Sequence, residues 1–171
     1  QENGVAQGHA DAGRVWHSDM SYLADPPRAT LLYALEVPTE NGVALGDTEF
    51  ASATTAYEAL APNVQKQIDD LSAIHDVFGR RGRTGISVQD QELRQSQPNV
   101  IHPVVRVHPI TGRKSIYVNE GECIGVEGMA KDDALSLISD LAQSIPNDGA
   151  RYKHSWRVGD VLVWDNRSTL H

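Results

Sequence analysis

The sequence closes on GDVLVWDNRSTLH, residues 159–171, a stretch that predicts a strand held between two tight turns. Residues 159–160 favour a turn, and the β-branched, aliphatic and aromatic residues 161–164 favour a strand. Residues 165–167 predict the second turn. His171 follows that turn directly, where the end of a strand can present a side chain to a site.

A shorter motif, WHSD at residues 16–19, holds a second imidazole and a carboxylate. On an extended segment, His17 and Asp19 point to the same side and could reach one ion. Two imidazoles and one carboxylate on one face of an octahedral ion form the facial triad of non-haem Fe(II) oxygenases, which leaves three positions open. The second imidazole would have to come from a distant strand, and His171 is the candidate.

The chain has seven histidines, and the other five are given structural or surface roles. His9 lies in a Gly/Ala-rich stretch, His75 follows a predicted helix, His102 and His108 lie beside prolines, and His154 precedes Trp156.

Composition narrows the classes of partner. With 15 Lys and Arg against 23 Asp and Glu, the net charge is -8, which disfavours a nucleic-acid or membrane surface. A single cysteine, Cys123, excludes an internal disulfide and indicates a reducing compartment, here the cytoplasm. We expect a small-molecule partner, no nucleic acid and no membrane, and leave self-association into a homo-oligomer open.

The order of predicted elements indicates a mainly β fold with flanking helices, an antiparallel sandwich or barrel. Residues 28–37 predict a buried strand, and residues 100–119 predict a hairpin. Apolar spacing predicts helices over 52–71, split at Pro62, and over 131–145. The segment 79–98 carries four arginines. A solvated loop is its simpler interpretation, and a mobile, anion-attracting cover over a site is the alternative.

Five segments together resemble the taurine dioxygenase and (dichlorophenoxy)acetate dioxygenase family of Fe(II)- and 2-oxoglutarate-dependent oxygenases. In chain order they are WHSD (16–19), GDTEF (46–50), HPVVRVHPITGRKSIYVN (102–119), VEGM (126–129) and WRVGDVLVWDNRSTLH (156–171). The resemblance runs over nearly the whole chain. It implies a double-stranded β-helix, or jelly-roll, in one oxygenase domain over residues 1–171. Without an initiating Met, and with an end directly at His171, the sequence is expected to be part of a longer chain.

The resemblance also implies site residues. His17, Asp19 and His171 match the family's iron ligands, and Thr48 matches a threonine whose hydroxyl contacts a 2-oxoglutarate carboxylate. Met20 falls where relatives contact the organic substrate through the backbone. Trp16 and Trp164 match aromatic residues near the site, although apolar packing alone would explain both.

Two departures from the family pattern bear on the site. The arginine that clamps 2-oxoglutarate in relatives would lie beyond His171. The stretch ENGVALGDT, residues 40–48, is longer than the usual SGGDT, which could displace the loop before Thr48.

The implied activity is that of a dioxygenase using Fe(II), 2-oxoglutarate and O₂. It would hydroxylate a small, anionic organic substrate, such as a sulfonate or an aryloxyalkanoate, and release succinate and CO₂. Two alternatives stay open. The same three residues could hold Zn²⁺ in a hydrolase, although no HExxH-like motif supplies a general base, or the chain could be an inactive binding module.

Overall fold

A computed structural model describes residues 15–79 and 96–171 of the chain. The described part is mainly β, as predicted, with three helices. The strands are β1 (Ala29–Tyr33), β2 (Thr39–Glu40), β3 (Val43–Ala44), β4 (Thr48–Ser52), β5 (Ser72–His75), β6 (Val100–Pro103), β7 (Val105–Val107), β8 (Lys114–Ile116), β9 (Cys123–Val126), β10 (Arg151–His154), β11 (Val161–Asp165) and β12 (Thr169–Leu170). The helices are α1 (Ala53–Ala59), α2 (Pro62–Ile68) and α3 (Lys131–Asp148).

The described strands form five small antiparallel sheets, and in three of them the members are far apart in sequence. β4 lies between β10 and β12, and β5 lies between β6 and β9. β1 pairs with β11 from Ala29 opposite Asp165 to Tyr33 opposite Val161. Because β12 pairs with β4 directly after the turn that ends β11, the last residues of the chain are held against the middle of the fold.

The hydrophobic core lies between the helices and the sheets. Helix α3 buries Ala134, Ile138, Leu141 and Ile145, the same face that the apolar spacing predicts. Helix α1 packs against α3 and β8. This core includes residues from Ala51 to Leu170.

Most predicted elements are confirmed. Pro62 occupies the first turn of α2 and separates it from α1, which ends at Ala59. Residues 105–116 form the expected hairpin, β7 with β8. Helix α3 continues beyond residue 145 to Asp148 and accommodates Pro146 in its last turn.

The strand predicted within residues 28–37 is confirmed as β1, but the prediction that it is buried is wrong. β1 covers only Ala29–Tyr33, and Leu31 and Tyr33 are 61% and 52% exposed. The physical reason is that β1 belongs to a two-stranded ribbon. Only one of its faces, with Thr30, turns towards other described elements, and Val161 and Val163 of β11 share the exposed face.

Residues 80–95, the larger part of the segment expected to form a mobile cover, lie outside the described residues. Among the helices that are described, none combines the length and the apolar character needed to cross a membrane.

Truncation of the α3 core face should lower stability. Ile138 is fully buried, so Ile138→Ala removes most of the side-chain carbon atoms and leaves a cavity. We expect the free energy of unfolding to fall by about 2–5 kcal/mol in urea denaturation. Ser136→Ala, on the exposed face of the same helix, is the control and should change it by less than about 0.5 kcal/mol. Equal effects of the two substitutions would contradict this assignment of the core.

Candidate metal centre

His17 and His171 meet through their backbones. The amide of His17 donates to the carbonyl of His171 at 3.1 Å, and the amide of His171 donates to the carbonyl of His17 at 3.0 Å. Residues that exchange both hydrogen bonds in this way face each other as a pair of antiparallel strands does. The two imidazole rings therefore lie side by side, with 4.3 Å between their centroids.

Asp19 completes a compact cluster with these two rings. Its Oδ1 lies 3.8 Å from Nε2 of His17 and 3.7 Å from Nε2 of His171. One ligand atom from each of the three residues lies within 4.8 Å of the others. Ligand atoms about 2.0–2.2 Å from one ion are at most about 4.4 Å apart, and both distances from Oδ1 to the imidazole nitrogens are shorter than this limit. The structure thus brings together the three residues singled out in the sequence.

A backbone contact selects the tautomer of His17. Its Nδ1 lies 2.9 Å from the carbonyl oxygen of Val15. A carbonyl only accepts, so Nδ1 carries the hydrogen and Nε2 is left with a free lone pair. Nε2 is the nitrogen that faces Asp19, which is the arrangement that metal-ligating histidines require.

The second carboxylate oxygen of Asp19 is held by the protein. Thr30 donates its hydroxyl to Oδ2 at 2.5 Å, and Asn166 donates its side-chain amide to the Thr30 hydroxyl at 2.8 Å. The carbonyl of Asn166 accepts from the hydroxyl of Ser18 at 2.7 Å. These contacts fix the carboxylate orientation and leave Oδ1 directed at the two imidazoles.

Hydrogen bonds also stabilise the turn before His171. Asp165 accepts from Nε and Nη2 of Arg167 at 2.8 and 2.6 Å, and its Oδ2 lies 2.9 Å from Nε2 of His108. Burial raises the pKa of Asp165, but the hydrogen bonds from Arg167 and His108 outweigh it and lower the pKa well below its usual range. Asp165 therefore stays ionised and holds the turn that delivers His171.

The His171 ring lies among aromatic side chains. Trp164 and Phe50 have their ring centroids 4.7 and 5.9 Å from that of His171. Burial, followed by the neighbouring His17, lowers the pKa of His171 to about 4, against the opposing effect of Asp19. The imidazole is therefore neutral at neutral pH and can act as a ligand. Trp164 lies at the site, as predicted, whereas Trp16 packs against the hydrophobic core.

A buried polar cluster, which sequence analysis did not find, anchors the chain just after Asp19. The hydroxyl of Ser21 donates to Oε2 of Glu122 and lies 2.8 Å from Nδ1 of His75. Asn119 donates to the same Glu122 oxygen at 3.2 Å. Burial raises the pKa of Glu122 and lowers that of His75 to about 3. No local signal marks these residues, because they come from three separate segments.

Met20 lies between Asp19 and this anchor, in a backbone conformation that side chains rarely adopt. Its φ is 53°, and its side chain is 49% exposed. A left-handed non-glycine residue persists only where its surroundings hold it, and here Asp19 and Ser21 are both fixed by hydrogen bonds. The exposed position beside the cluster is compatible with the substrate contact expected of Met20.

Thr48 begins β4, two residues before Phe50, so both side chains are on the same face of the strand. Its hydroxyl oxygen accepts from Nε1 of Trp156 at 2.9 Å. Within the described ranges no group accepts the hydroxyl hydrogen, which can therefore donate to a ligand. The partner Trp156 was not anticipated.

The longer stretch before Thr48 forms a hairpin. β2 pairs with β3 around Asn41 and Gly42, whose φ angles are 50° and 79°. Asn-Gly with two positive φ values is the preferred two-residue turn between antiparallel strands. The amide of Leu45 donates to the carbonyl of Pro38 at 2.8 Å and closes the base of the hairpin. The additional residues are thus absorbed in the hairpin, and Thr48 stays in β4.

Removing the Thr30 hydroxyl should weaken divalent metal binding. Thr30→Val keeps the shape of the side chain but leaves Oδ2 of Asp19 without its donor, and loss of such an outer contact costs about 10–100-fold in affinity. Titration with Mn(II), followed by electron paramagnetic resonance, measures the change. Thr39→Val, an exposed threonine in β2, is the matched control. Unchanged Mn(II) affinity in Thr30→Val would show that Asp19 needs no such support.

Comparison with known proteins matches this geometry to a family. Residues 1–171 match the family model of "Taurine catabolism dioxygenase TauD, TfdA family". The alpha-ketoglutarate-dependent 2,4-dichlorophenoxyacetate dioxygenase of Cupriavidus pinatubonensis is 33% identical over 160 residues, which are 94% of this chain and 54% of that protein. The chain therefore spans about half the length of this relative.

Solved structures show the same fold. The crystal structure of AAD-2 in complex with Mn(II) and N-oxalylglycine has a TM-score of 0.79 and 32% identity, covering 92% of this chain and 60% of that one. A taurine dioxygenase from Burkholderia xenovorans has a TM-score of 0.73 and 26% identity, covering 96% and 53%. The expected double-stranded β-helix is thereby confirmed. The chain belongs to the TauD, TfdA family of taurine catabolism dioxygenases.

Proposed function

We propose that the protein is an Fe(II)- and 2-oxoglutarate-dependent dioxygenase whose iron is held by His17, Asp19 and His171. The observation that carries the proposal is the convergence of Nε2 of both histidines and Oδ1 of Asp19 on one point. Two neutral imidazoles and one carboxylate form the ligand set of non-haem iron oxygenases, with positions left for a co-substrate and O₂. Membership in the family and the Mn(II) complex of the AAD-2 structure support the same assignment.

The residues of the chain have distinct roles in this proposal. Bound iron would supply the activation of O₂, coupled to conversion of 2-oxoglutarate into succinate and CO₂. Thr30 keeps the anionic ligand Asp19 oriented, and Val15 keeps the lone pair of His17 available. Trp164 and Phe50 shield the His171 ring from water.

The proposed substrate is a small organic anion that is hydroxylated. Two similar proteins are named for such compounds, an aryloxyalkanoate in 2,4-dichlorophenoxyacetate dioxygenase and a sulfonate in taurine dioxygenase. Met20, exposed directly after Asp19, is the residue we propose to contact it through the backbone.

Asp19→Ala should abolish turnover. The substitution removes both a metal–oxygen bond and the negative charge that holds a hard divalent ion. In the full natural chain, with Fe(II), 2-oxoglutarate and O₂, succinate formation by the variant should fall to the background without enzyme. Asp140→Ala, an exposed carboxylate on α3, is the control and should keep full activity.

Succinate formation, Zn(II)-dependent hydrolysis and metal binding together separate the alternatives. Undiminished succinate formation by Asp19→Ala would refute the iron assignment. Hydrolytic activity that appears with Zn(II) and needs no O₂ would favour the hydrolase. Stoichiometric metal binding with no turnover of any kind would favour the binding module.

Thr48 is proposed to hydrogen-bond 2-oxoglutarate through its free hydroxyl hydrogen. A hydrogen bond to a charged group contributes about 1.5–3 kcal/mol, or on the order of 10- to 150-fold in affinity. Thr48→Val should raise the apparent constant for 2-oxoglutarate by about that factor and leave Mn(II) affinity unchanged.

A second variant, Thr48→Ser, tests whether the hydroxyl rather than the methyl group of Thr48 is needed. Thr48→Val also leaves Nε1 of Trp156 without its acceptor, whereas Thr48→Ser keeps both the acceptor and the donor. Thr48→Ser should therefore keep the natural affinity for 2-oxoglutarate. An unchanged constant in Thr48→Val would show that the residue serves only Trp156.

A further inference from the structure

A basic cleft of about 620 Å³ lies on the described surface, lined by residues other than those of the metal cluster and Thr48. It is formed by residues 24–28, by the β7–β8 hairpin and by the turn before β12. The lining residues that matter here are Asp25, Arg28, Arg106, Ile110 and Arg167. Three guanidinium groups thus meet one carboxylate, in a chain whose net charge is -8.

Arg106 is the central charge of this basic cleft. It is partly buried on β7, and its guanidinium carbon lies 4.4 Å from the centroid of the Tyr117 ring. Among the described residues no carboxylate lies within ion-pair distance of it. Its charge is felt by buried groups: burial lowers the pKa of His75 and of His102, and the positive charge of Arg106 lowers both further. Partly buried charges are normally paired with an opposite charge, and Arg106 lacks such a partner among the described residues.

The other two guanidinium groups differ in whether they form an ion pair. Arg28 is exposed and, within the described part of the chain, makes no ion pair. Arg167 is held by Asp165 through Nε and Nη2, which fixes its plane and uses its charge on that partner. The unbalanced positive charge of the basic cleft therefore belongs to Arg28 and Arg106, opposed by Asp25 alone among its lining residues.

The rim of the basic cleft is apolar. Val107 and Ile110 are 60% and 81% exposed, and Pro109 lies between them along the hairpin. Exposed aliphatic side chains beside unpaired guanidinium groups suit a ligand that has an anionic end and an apolar body.

We propose that the basic cleft is a binding site for a small amphipathic organic anion, distinct from the metal centre. Arg28 and Arg106 would donate to its carboxylate, sulfonate or phosphate group, which guanidinium groups bind in a bidentate manner. Val107, Pro109 and Ile110 would contact its apolar body. The inference depends on this cleft alone and is independent of the proposed dioxygenase activity.

Isothermal titration with phenyl phosphate tests the site, using the full natural chain freed of metal with a chelator. Phenyl phosphate should bind saturably at one site per chain and more tightly than inorganic phosphate, because only the former has an apolar body. Arg28→Gln should weaken phenyl phosphate binding at least about 10-fold, as loss of a charge-assisted hydrogen bond does. Ile110→Ser should weaken phenyl phosphate binding but leave phosphate binding unchanged.

Two controls make the result decisive. Arg157→Gln removes an exposed arginine outside the basic cleft and should have no effect. His171→Ala alters the metal centre and should also leave binding unchanged. The proposal is overturned if no saturable binding occurs, if Arg157→Gln weakens binding as much as Arg28→Gln, or if His171→Ala abolishes it. Equal affinity for phosphate and phenyl phosphate would overturn the apolar part of the site.

Discussion

The reciprocal pair of backbone hydrogen bonds between His17 and His171 is the contact on which the site depends. It joins two segments at opposite ends of the described chain and sets both imidazoles on one side. Their positions are then refined by neighbours: β12 fixes His171 against β4, and Thr30 of β1 fixes Asp19. Because backbone atoms make the pair, Nε2 of each imidazole faces Asp19 and is available for an ion.

The metal cluster could be predicted from sequence because its residue types and their spacing are recognisable over a few residues. His17 and Asp19 are spaced for one face of an extended segment, and His171 follows a strand and turn that composition reveals. The helices were also predictable, since Pro62 and the apolar spacing of α3 act over a few residues. The assignment of His171 to the same site, however, required the resemblance to a family.

The rest of the site depends on contacts between distant segments. Ser21, His75 and Glu122 show no local pattern, and only the folded chain brings their polar atoms together. The burial of β1 was mispredicted for a related reason. An apolar run such as that around Leu31 indicates a strand, but its exposure depends on which layer packs over it. Likewise, β12 is too short for any periodicity to reveal it.

X-ray absorption spectroscopy of the Fe(II)-loaded protein tests the proposed iron ligands, since it reports the atoms bound to the metal. We expect one iron per chain with two imidazole ligands and one carboxylate. His171→Ala should remove one imidazole from the spectrum and leave the contribution of His17. A bound iron whose spectrum contains no imidazole, or is unaffected by His171→Ala, would show that these residues do not hold the metal.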